Sequence, residues 1–332
     1  MKSMTMKHIC TILAAVLLCS ACSHFKKSTS NTDTSEQTAV GPAFSADSAY
    51  TYCQQQCSFG PRIMNSDAHE HCGAWIVSMF QKFGMEVSEQ RAVLKGYDGT
   101  PLMSNNITAS YQPQLQQRIL LCAHWDSRPW ADNDPDEANH QTPVMAANDG
   151  ASGVAVMLEI ARLLQADSCL LPVGVDFVCF DAEDWGNDGV SDSWALGAQH
   201  WSHLLSKVNP HPNYRYGILL DMVGGQGAHF YQEGLSKYYA SHVVKRVWQA
   251  ASVAGYSSFF PFEDGGTVTD DHLPVNETAQ IPCIDIIPYY PNCEASSFGP
   301  TWHTIHDDMQ HIDRSTLKAV GQTLIQVLYT EK

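Results

Sequence analysis

The sequence predicts an α/β fold, a three-layer sandwich in which a central mixed, mostly parallel sheet is flanked by helices. Short apolar runs recur along the chain, and stretches with apolar residues at helical spacing lie between them. This alternation is typical of a sheet whose strands are covered by helices on both faces. The chain has 332 residues, of which 44% are hydrophobic, which is enough for one large core.

The individual elements follow from these patterns. Four apolar runs are predicted as buried strands, at 118–123, 173–180, 216–220 and 283–287. Two further strands, 87–93 and 106–111, are predicted as an antiparallel pair at one edge of the sheet. The predicted helices span 66–83, 150–164, 193–205, 236–254 and 315–329. The helix at 150–164 has the clearest inward face, formed by Val154, Met157, Leu158 and Ala161.

The first residues have the features of an export signal. Lys2 and Lys7 precede an apolar run at 9–18, which is too short to span a membrane, and small residues lead to Cys22. The small residues before Cys22 resemble a bacterial lipobox. Residues 1–22 are therefore predicted to be a signal peptide with a lipobox, and the protein a periplasmic lipoprotein anchored through Cys22. Simple cleavage to a soluble periplasmic product is the alternative.

The rest of the chain is predicted to be a tether and one domain. Residues 23–43 are rich in Ser, Thr, Asn and Lys and lack apolar periodicity, which indicates a flexible tether. Residues 44–332 contain no second linker and no repeat, so they are predicted to form a single domain. The eight cysteines beyond Cys22 are expected to be mostly buried, with one or two disulfides whose pairing stays open.

Charge excludes one class of partner. The net charge is -16 and the pI is about 5.2, so the chain repels phosphate backbones and is not expected to bind nucleic acid. An acidic surface suits cationic partners, such as the free amino end of a peptide. Contact with a membrane is expected only through the predicted lipid anchor.

Histidines and acids occur at the ends of the first three predicted buried strands, at the start of the helix at 150–164 and after the loop that follows the fourth buried strand. They are His124, Asp149, Glu183, Asp184, Asp221 and His303. Ligands of open α/β sheets bind beyond the carboxyl ends of the strands, and His, Asp and Glu are ligands that suit zinc. Alone, Asp149 is explained as a helix N-cap and His303 as a surface histidine. Together the six side chains predict a metal site at one edge of the sheet.

The arrangement resembles the family of zinc aminopeptidases and glutaminyl cyclases that share this sandwich. The resemblance runs from about Phe59 to the last helix, and it rests on His124-Trp125-Asp126, Asn148-Asp149-Gly150-Ala151-Ser152-Gly153, Glu183-Asp184, Leu220-Asp221 and His303-Thr304. It implies one zinc per chain, bound by Asp149, Asp184 and His303, with Glu183 as the general base and acid. In the two-zinc peptidases of this family, the positions of His124 and Asp221 hold a second metal.

Other segments are more similar to the cyclases than to the peptidases. They are Ser58-Phe59-Gly60-Pro61-Arg62 with Ser66-Asp67-Ala68-His69, then Ser127-Arg128-Pro129-Trp130 after Asp126, then Asp270-Asp271-His272-Leu273-Pro274, and Trp302 before His303. The resemblance therefore implies a glutaminyl-peptide cyclotransferase, an acyltransferase that converts the N-terminal Gln of peptides or proteins to pyroglutamate and releases ammonia. The alternative is a two-zinc aminopeptidase. A non-catalytic binding ectodomain is a remote third reading, because Glu183 and the ligands are all present.

The resemblance also implies roles around the metal. Asp221 and Asp270 are expected to form a hydrogen-bonded carboxyl pair beside the substrate and to act with Glu183, although Asp270 alone is also explained as a turn acid. Trp302 and Trp194 are predicted to bind the substrate as aromatic walls. Two positions depart from the animal cyclases: Asp184 replaces a Glu, and Asp285, also predicted to bind substrate, replaces a His.

Overall fold

A computed structural model describes residues 38–209 and 213–332, so the predicted signal peptide and residues 23–37 of the predicted tether lie outside the described residues. Residues 38–332 form one compact unit. Within the described residues, six strands form a single sheet in the order β1-β2-β4-β3-β5-β6. The strands are β1 Glu86–Lys95, β2 Pro101–Tyr111, β3 Arg118–His124, β4 Gly174–Phe180, β5 Tyr214–Leu220 and β6 Cys283–Ile286.

The strand pairing confirms the predicted mixed, mostly parallel sheet. Strand β3 pairs in parallel with both β4 and β5, and β5 pairs in parallel with β6. Strands β1 and β2 form the predicted antiparallel pair, with β1 at the edge, and β2 pairs antiparallel with β4. The carboxyl ends of the four parallel strands consequently meet at one edge of the sheet.

Seven α-helices flank this sheet in the described part of the chain. They are α1 Ala46–Cys57, α2 Asp67–Lys82, α3 Ala151–Ala166, α4 Leu196–Val208, α5 Gly234–Val253, α6 His272–Glu277 and α7 Arg314–Tyr329. None of the helices in that part is long and apolar enough to cross a membrane.

The two faces of the sheet carry separate apolar clusters because successive strand residues point to opposite faces. On β3, Ile119 and Leu121 belong to the large cluster formed with α1, α2, α3, α5 and α7. Leu120 and Cys122 belong to a smaller cluster formed with α4 and α6. Both faces of the central strands are therefore buried, which explains their continuous apolar sequences.

Three elements differ from the prediction for identifiable reasons. Helix α6 has no predicted counterpart, because its six residues are too few to show a helical period. Helix α1 has no predicted counterpart, because its sequence carries three consecutive glutamines and buries only Ala49, Cys53, Gln56 and Cys57. Helix α4 begins at Leu196, later than the predicted 193, because Ala195 adopts a left-handed conformation with φ 56°. A left-handed residue cannot continue an α-helix, so the helix starts after it.

The expected one or two disulfides are absent from the described residues. All eight cysteines between Cys53 and Cys293 are free thiols, and six of them are buried. Cys53 and Cys57 lie one turn apart on α1, and the Cys53 thiol donates a hydrogen bond to the carbonyl oxygen of Ala147 at 3.0 Å. The six buried cysteines thus act as small apolar side chains of the core, as was expected for most of the eight.

Candidate active site

The carboxyl ends of the parallel strands bring the predicted site residues together. Strand β3 ends at His124, β4 is followed by Glu183 and Asp184, and β5 is followed directly by Asp221. A cavity of about 400 Å³ opens at this edge of the sheet. Its walls include seven of the predicted site residues, which are Asp149, Glu183, Trp194, Asp221, Asp270, Trp302 and His303.

Asp149 and His303 from the cavity wall form the predicted metal-binding group together with Asp184. The Nε2 atom of His303 lies 3.3 Å from Oδ1 of Asp184 and 3.6 Å from Oδ2 of Asp149. One ligand atom from each residue lies within 4.8 Å of the other two, and all three residues are buried. Oδ2 of Asp184 is buried without a hydrogen-bond partner. Two carboxylates and an imidazole arranged in this way suit a zinc ion.

The protonation of His303 also suits a metal ligand. Burial, reinforced by the positive charge of Arg128, lowers the pKa of His303 to about 3. The imidazole is therefore neutral at pH 7 and offers a lone pair, which is the form that binds metals. Burial raises the pKa of Asp184 to about 7, and the charges of Arg128 and His124 oppose that rise.

A second group of potential ligands shares Asp149 with the first. The Nε2 atom of His124 lies 2.9 Å from Oδ1 of Asp149 and 3.3 Å from Oδ1 of Asp221. These three ligand atoms also lie within 4.8 Å of one another. The donor set of a two-metal site is consequently present, with Asp149 between the two positions.

Two buried carboxylates that were given no role in the sequence analysis hold the site loops. Asp126 accepts hydrogen bonds from the backbone N–H groups of Glu183 and Asp184, at 3.1 Å each. Asp307 accepts from the N–H groups of Asn148 and Asp149, at 2.7 and 3.0 Å. Asp126 stands in the motif His124-Trp125-Asp126, whereas Asp307 has no sequence signal beyond lying four residues after His303.

Strained backbone surrounds the same residues. Ala146, Ala182, Met222 and His303 all have positive φ angles between 50° and 56°, although none is a glycine. Each is itself a site residue or lies within three residues of one. Such conformations cost free energy and are maintained only where the surrounding structure enforces them, as at active sites.

Arg128 connects the metal-binding group to the aromatic residues. Its Nη1 atom lies 3.3 Å from Oδ1 of Asp184, and its Nε atom donates to Oδ1 of Asp132 at 2.7 Å. The guanidinium carbon lies 5.0 Å from the ring centroid of Trp194 and 5.5 Å from that of Trp130. Arg128 belongs to the segment Ser127-Arg128-Pro129-Trp130, but no role was predicted for it.

The predicted catalytic acids line the cavity as a buried, mutually repelling set. Burial raises the pKa of Glu183 well above its ordinary value. Burial raises the pKa of Asp221 to about 6. Burial also raises the pKa of Asp270 to about 6, with the charge of Asp221 adding to the effect. Carboxyl groups with raised pKa values can exchange protons near neutral pH.

The predicted substrate-binding residues are only partly brought together. The ring of Trp302 stacks on His303 with 3.7 Å between centroids, and the ring of Trp194 lies nearly parallel to His303 at 6.1 Å. Asp285 is not on the cavity wall: it lies within β6, is fully buried, and its two carboxylate oxygens have no hydrogen-bond partner. Phe298 lines the cavity beside Trp302, with 4.9 Å between their ring centroids.

Solved structures share this architecture over nearly their whole length. A Bacteroides thetaiotaomicron glutaminyl cyclase bound to N-acetylhistamine is 49% identical, with a TM-score of 0.83, and the match covers 88% of this chain and 100% of that one. A Zn-dependent exopeptidase from Parabacteroides distasonis is 46% identical, also with a TM-score of 0.83, and has the same coverage of 88% and 100%.

Curated relatives carry both candidate activities. Aminopeptidase YwaD of Bacillus subtilis is 27% identical over 269 residues, which are 77% of this chain but 51% of the aminopeptidase. The glutaminyl-peptide cyclotransferase of Bos taurus is 23% identical over 256 residues, 68% of this chain and 66% of that protein. The chain thus aligns with about half to two thirds of the length of these two relatives.

A family model also matches the chain. The model of the family described as "Peptidase family M28" matches residues 106–328, which is more than half of the chain and contains every predicted metal ligand. With the sheet topology and the paired ligand groups described above, this match shows that the chain belongs to peptidase family M28.

Proposed function

We propose that the protein is a glutaminyl-peptide cyclotransferase, which closes the N-terminal Gln of a peptide or protein into pyroglutamate and releases ammonia. The observation that carries this proposal is the composition of one cavity. Glu183, Asp221 and Asp270 line the same cavity as Asp149 and His303 of the metal-binding group and the ring of Trp302. Three acids can hold and deprotonate a free α-amine, and the nearly full-length similarity to a bacterial glutaminyl cyclase supports the same assignment.

The metal expected in this site is one zinc ion per chain. Asp149, Asp184 and His303 would hold it. The neutral imidazole of His303 offers a lone pair, and the Oδ2 atom of Asp184 has no hydrogen-bond partner and is free to bind a metal. When bound there, zinc supplies Lewis-acid polarisation of the side-chain carbonyl of the substrate glutamine.

The acids of the chain move the proton that the reaction transfers. The α-amine nitrogen of the substrate bonds to its own side-chain amide carbon, and the bond from that carbon to the amide nitrogen breaks. Glu183 accepts a proton from the attacking amine and delivers it to the leaving nitrogen, which departs as ammonia. Asp221 and Asp270 are the pair that holds the amine in place, and their raised pKa values fit a pair that shares a proton.

The aromatic residues restrict the site to this reaction. Trp302, Phe298 and Trp194 line the cavity and offer flat apolar surfaces to a planar amide. Because the nucleophile belongs to the substrate, such walls favour cyclisation by excluding the water that would otherwise hydrolyse the amide.

A two-zinc aminopeptidase is the second candidate, and one observation favours it. His124 and Asp221 form a complete second ligand group with Asp149, and the aminopeptidase from Bacillus subtilis is among the relatives. In that reading Glu183 would act on water, and the whole first residue would be released.

Mass spectrometry of the reaction products separates the two candidates. Purified protein is incubated with a short peptide that begins with Gln, with and without a chelator, and with an N-acetylated copy of the peptide as the control. We expect chelator-sensitive loss of one ammonia from the free peptide and no change in the acetylated copy. Release of free glutamine would contradict the cyclase and establish the aminopeptidase.

We also propose that the protein is exported and held at the membrane through a lipid on Cys22. The support is the sequence pattern of residues 1–22 alone. Cell fractionation tests this proposal: the protein should be recovered with membranes, and the Cys22→Ser variant in the soluble periplasmic fraction or uncleaved. A wild-type protein found only in the soluble fraction would contradict the anchor.

A further inference from the structure

A second, smaller cavity adjoins the active-site cavity. Its volume is about 60 Å³, and it shares the wall residues Thr267, Val268, Ile287 and Phe298 with the larger cavity. Two cavities that share four wall residues can be filled by neighbouring parts of the same molecule. The small cavity contains none of the metal ligands or catalytic acids described above.

The walls of the small cavity are mainly apolar and aromatic. Tyr231 and Tyr289 pack edge to face with 5.5 Å between ring centroids, and Phe298 and Ile287 complete the surface. The buried Glu233 also lies in the wall, but its hydrogen-bonding capacity is used. Its oxygens accept from the backbone N–H groups of Leu235, Ser236 and Val268, at 2.8, 2.6 and 3.0 Å.

The wall between the two cavities is fixed in place. The backbone of Gly265 donates to Gln232 at 2.9 Å, and that of Gly234 donates to Gly266 at 2.9 Å. Together with the bond from Val268 to Glu233, these contacts tie segment 265–268 to the start of α5. A wall held in this way can discriminate between side chains of different size.

The wall shared by the two cavities lies next to Asp270, one of the acids proposed to hold the substrate amine. Thr267, Val268 and Thr269 directly precede Asp270 in the chain and line the active-site cavity with it. A glutamine whose α-amine is held at Asp270 and whose side-chain amide points to the metal-binding group therefore has its main chain beside this wall. Consecutive Cα atoms are 3.8 Å apart, and the side chain of the second residue is therefore within reach of a cavity that shares a wall with the first.

We propose that the small cavity is the subsite for the side chain of the residue that follows the N-terminal glutamine, and that it selects small aliphatic side chains. This inference rests on the proposed cyclotransferase function. The volume of about 60 Å³ is well below the about 150 Å³ of a cavity that binds benzene, so the cavity suits the side chain of valine better than that of phenylalanine. An acidic side chain is disfavoured by the carboxylate of Glu233.

Gly266 allows the cavity to be narrowed without distorting the backbone. Its φ angle is not in the left-handed region, and a Cβ atom added there would lie 3.6 Å from Cε2 of Tyr289, an ordinary contact distance. Gly266→Ala therefore places a methyl group against Tyr289. Gly265→Ala is unsuitable, because its Cβ would come within 2.9 Å of Cβ of Tyr231.

The test compares kcat/KM for peptides that differ only at the second position, namely Gln-Gly, Gln-Val, Gln-Phe and Gln-Asp, each followed by the same sequence. In the wild type we expect kcat/KM for the Gln-Val peptide to be about tenfold higher than for the Gln-Gly peptide, since a few additional carbon atoms bound in a pocket give discrimination of that order. Gln-Asp should be the poorest substrate. In Gly266→Ala the advantage of Gln-Val should fall to threefold or less, with Gln-Gly unchanged.

A second variant tests the opposite change. Tyr289→Ala enlarges the cavity and should raise kcat/KM for the Gln-Phe peptide relative to that for the Gln-Gly peptide. The metal content should stay that of the wild type. Equal rates for all four peptides in the wild type, or a Gly266→Ala variant that slows Gln-Gly as much as Gln-Val, would overturn the subsite. No ammonia from any of the peptides would instead overturn the proposed function, so the two failures are distinguishable.

Discussion

Arg128 shows how one buried side chain can control two parts of the site. It contacts the carboxylate of Asp184, a proposed metal ligand, and lies over the ring of Trp194, which lines the active-site cavity. Asp184 is one methylene shorter than the glutamate expected from the animal cyclases. The guanidinium is therefore well placed to fix the orientation of this shorter ligand, as partners of metal ligands commonly do.

Replacing Arg128 should weaken the metal site and the aromatic wall together. We expect Arg128→Met to lower zinc affinity or kcat/KM by about 10- to 100-fold, the usual effect of losing a partner of a metal ligand. Arg128→Lys keeps the charge but cannot contact Asp132 and Asp184 through a planar fork, so it should recover only part of the loss. Competition with a chromogenic chelator measures zinc affinity, and wild-type zinc affinity together with wild-type kcat/KM in Arg128→Met would contradict the role.

Measurements of turnover and of zinc content distinguish the proposed role of Glu183 from that of the metal ligands. Glu183→Gln removes the proton acceptor but none of the ligands, so turnover should fall by about 10²- to 10⁴-fold while zinc is retained. His303→Ala is the matched control, which should lose zinc and turnover together. Metal analysis of the purified variants decides the matter, and a Glu183→Gln variant that cyclises at close to the wild-type rate would show that another residue moves the proton.

At the scale of elements, Glu233 connects α5 to the segment that carries Asp270. It caps α5 through Leu235 and Ser236 and accepts from Val268, and its Oε2 atom lies 3.4 Å from Nε2 of His272. Burial alone would raise the pKa of Glu233, but the neighbouring imidazole of His272 and the Ser236 N–H outweigh it and lower the pKa to about 2. A folded-state pKa below the unfolded value means that the ionised group stabilises the fold.

The dependence of the free energy of unfolding on pH in the acid range should show the ionisation of Glu233. Its contribution is fully present above the ordinary pKa of 4.5 and is lost as the pH falls from there to about 2. Glu233→Gln should therefore reduce the free energy of unfolding by about 3 kcal/mol at pH 7, and by much less near pH 2. Urea unfolding at both pH values checks this, with the exposed Glu263→Gln as the control. An equal loss of unfolding free energy in Glu233→Gln at both pH values would contradict a stabilising role of the ionised Glu233.

The elements also show what the sequence could and could not predict. The central strands were predictable because both of their faces are buried, which leaves uninterrupted apolar runs. The start of α4 depended on the left-handed Ala195, and α1 depended on contacts made by a polar sequence, so neither was visible in local periodicity. The site residues on strand ends were found from the topology, whereas Asp307 acts through backbone N–H groups of a distant loop and gave no sequence signal.

At the scale of the whole molecule, the metal-binding group joins segments that are remote in the chain. Asp149 precedes α3, Asp184 follows β4, and His303 lies in the loop before α7. An ion bound by all three therefore stabilises the folded state and not the unfolded chain. The acids that surround it repel one another, and a cation reduces that repulsion as well.

Removing zinc should lower thermal stability as well as activity. With free zinc at about 1,000 times its Kd, binding adds about 4 kcal/mol to the free energy of unfolding, which corresponds to a Tm shift on the order of 10 °C for a domain of this size. Calorimetry with and without a chelator measures the shift, and His303→Ala should show none. A wild-type Tm that does not respond to chelation would mean that these residues do not hold a metal.

The order in which the ligands occur along the chain also has a consequence for biosynthesis. A nascent chain that has emerged as far as Asp184 carries Glu183, the proposed proton carrier, and two of the three proposed metal ligands, but it has neither Asp270 nor His303. The incomplete polypeptide is therefore expected to be inert toward the N-terminal glutamines of other newly made proteins. Catalytic competence arises only after the loop that carries Trp302 and His303 has been synthesised and has closed over the sheet.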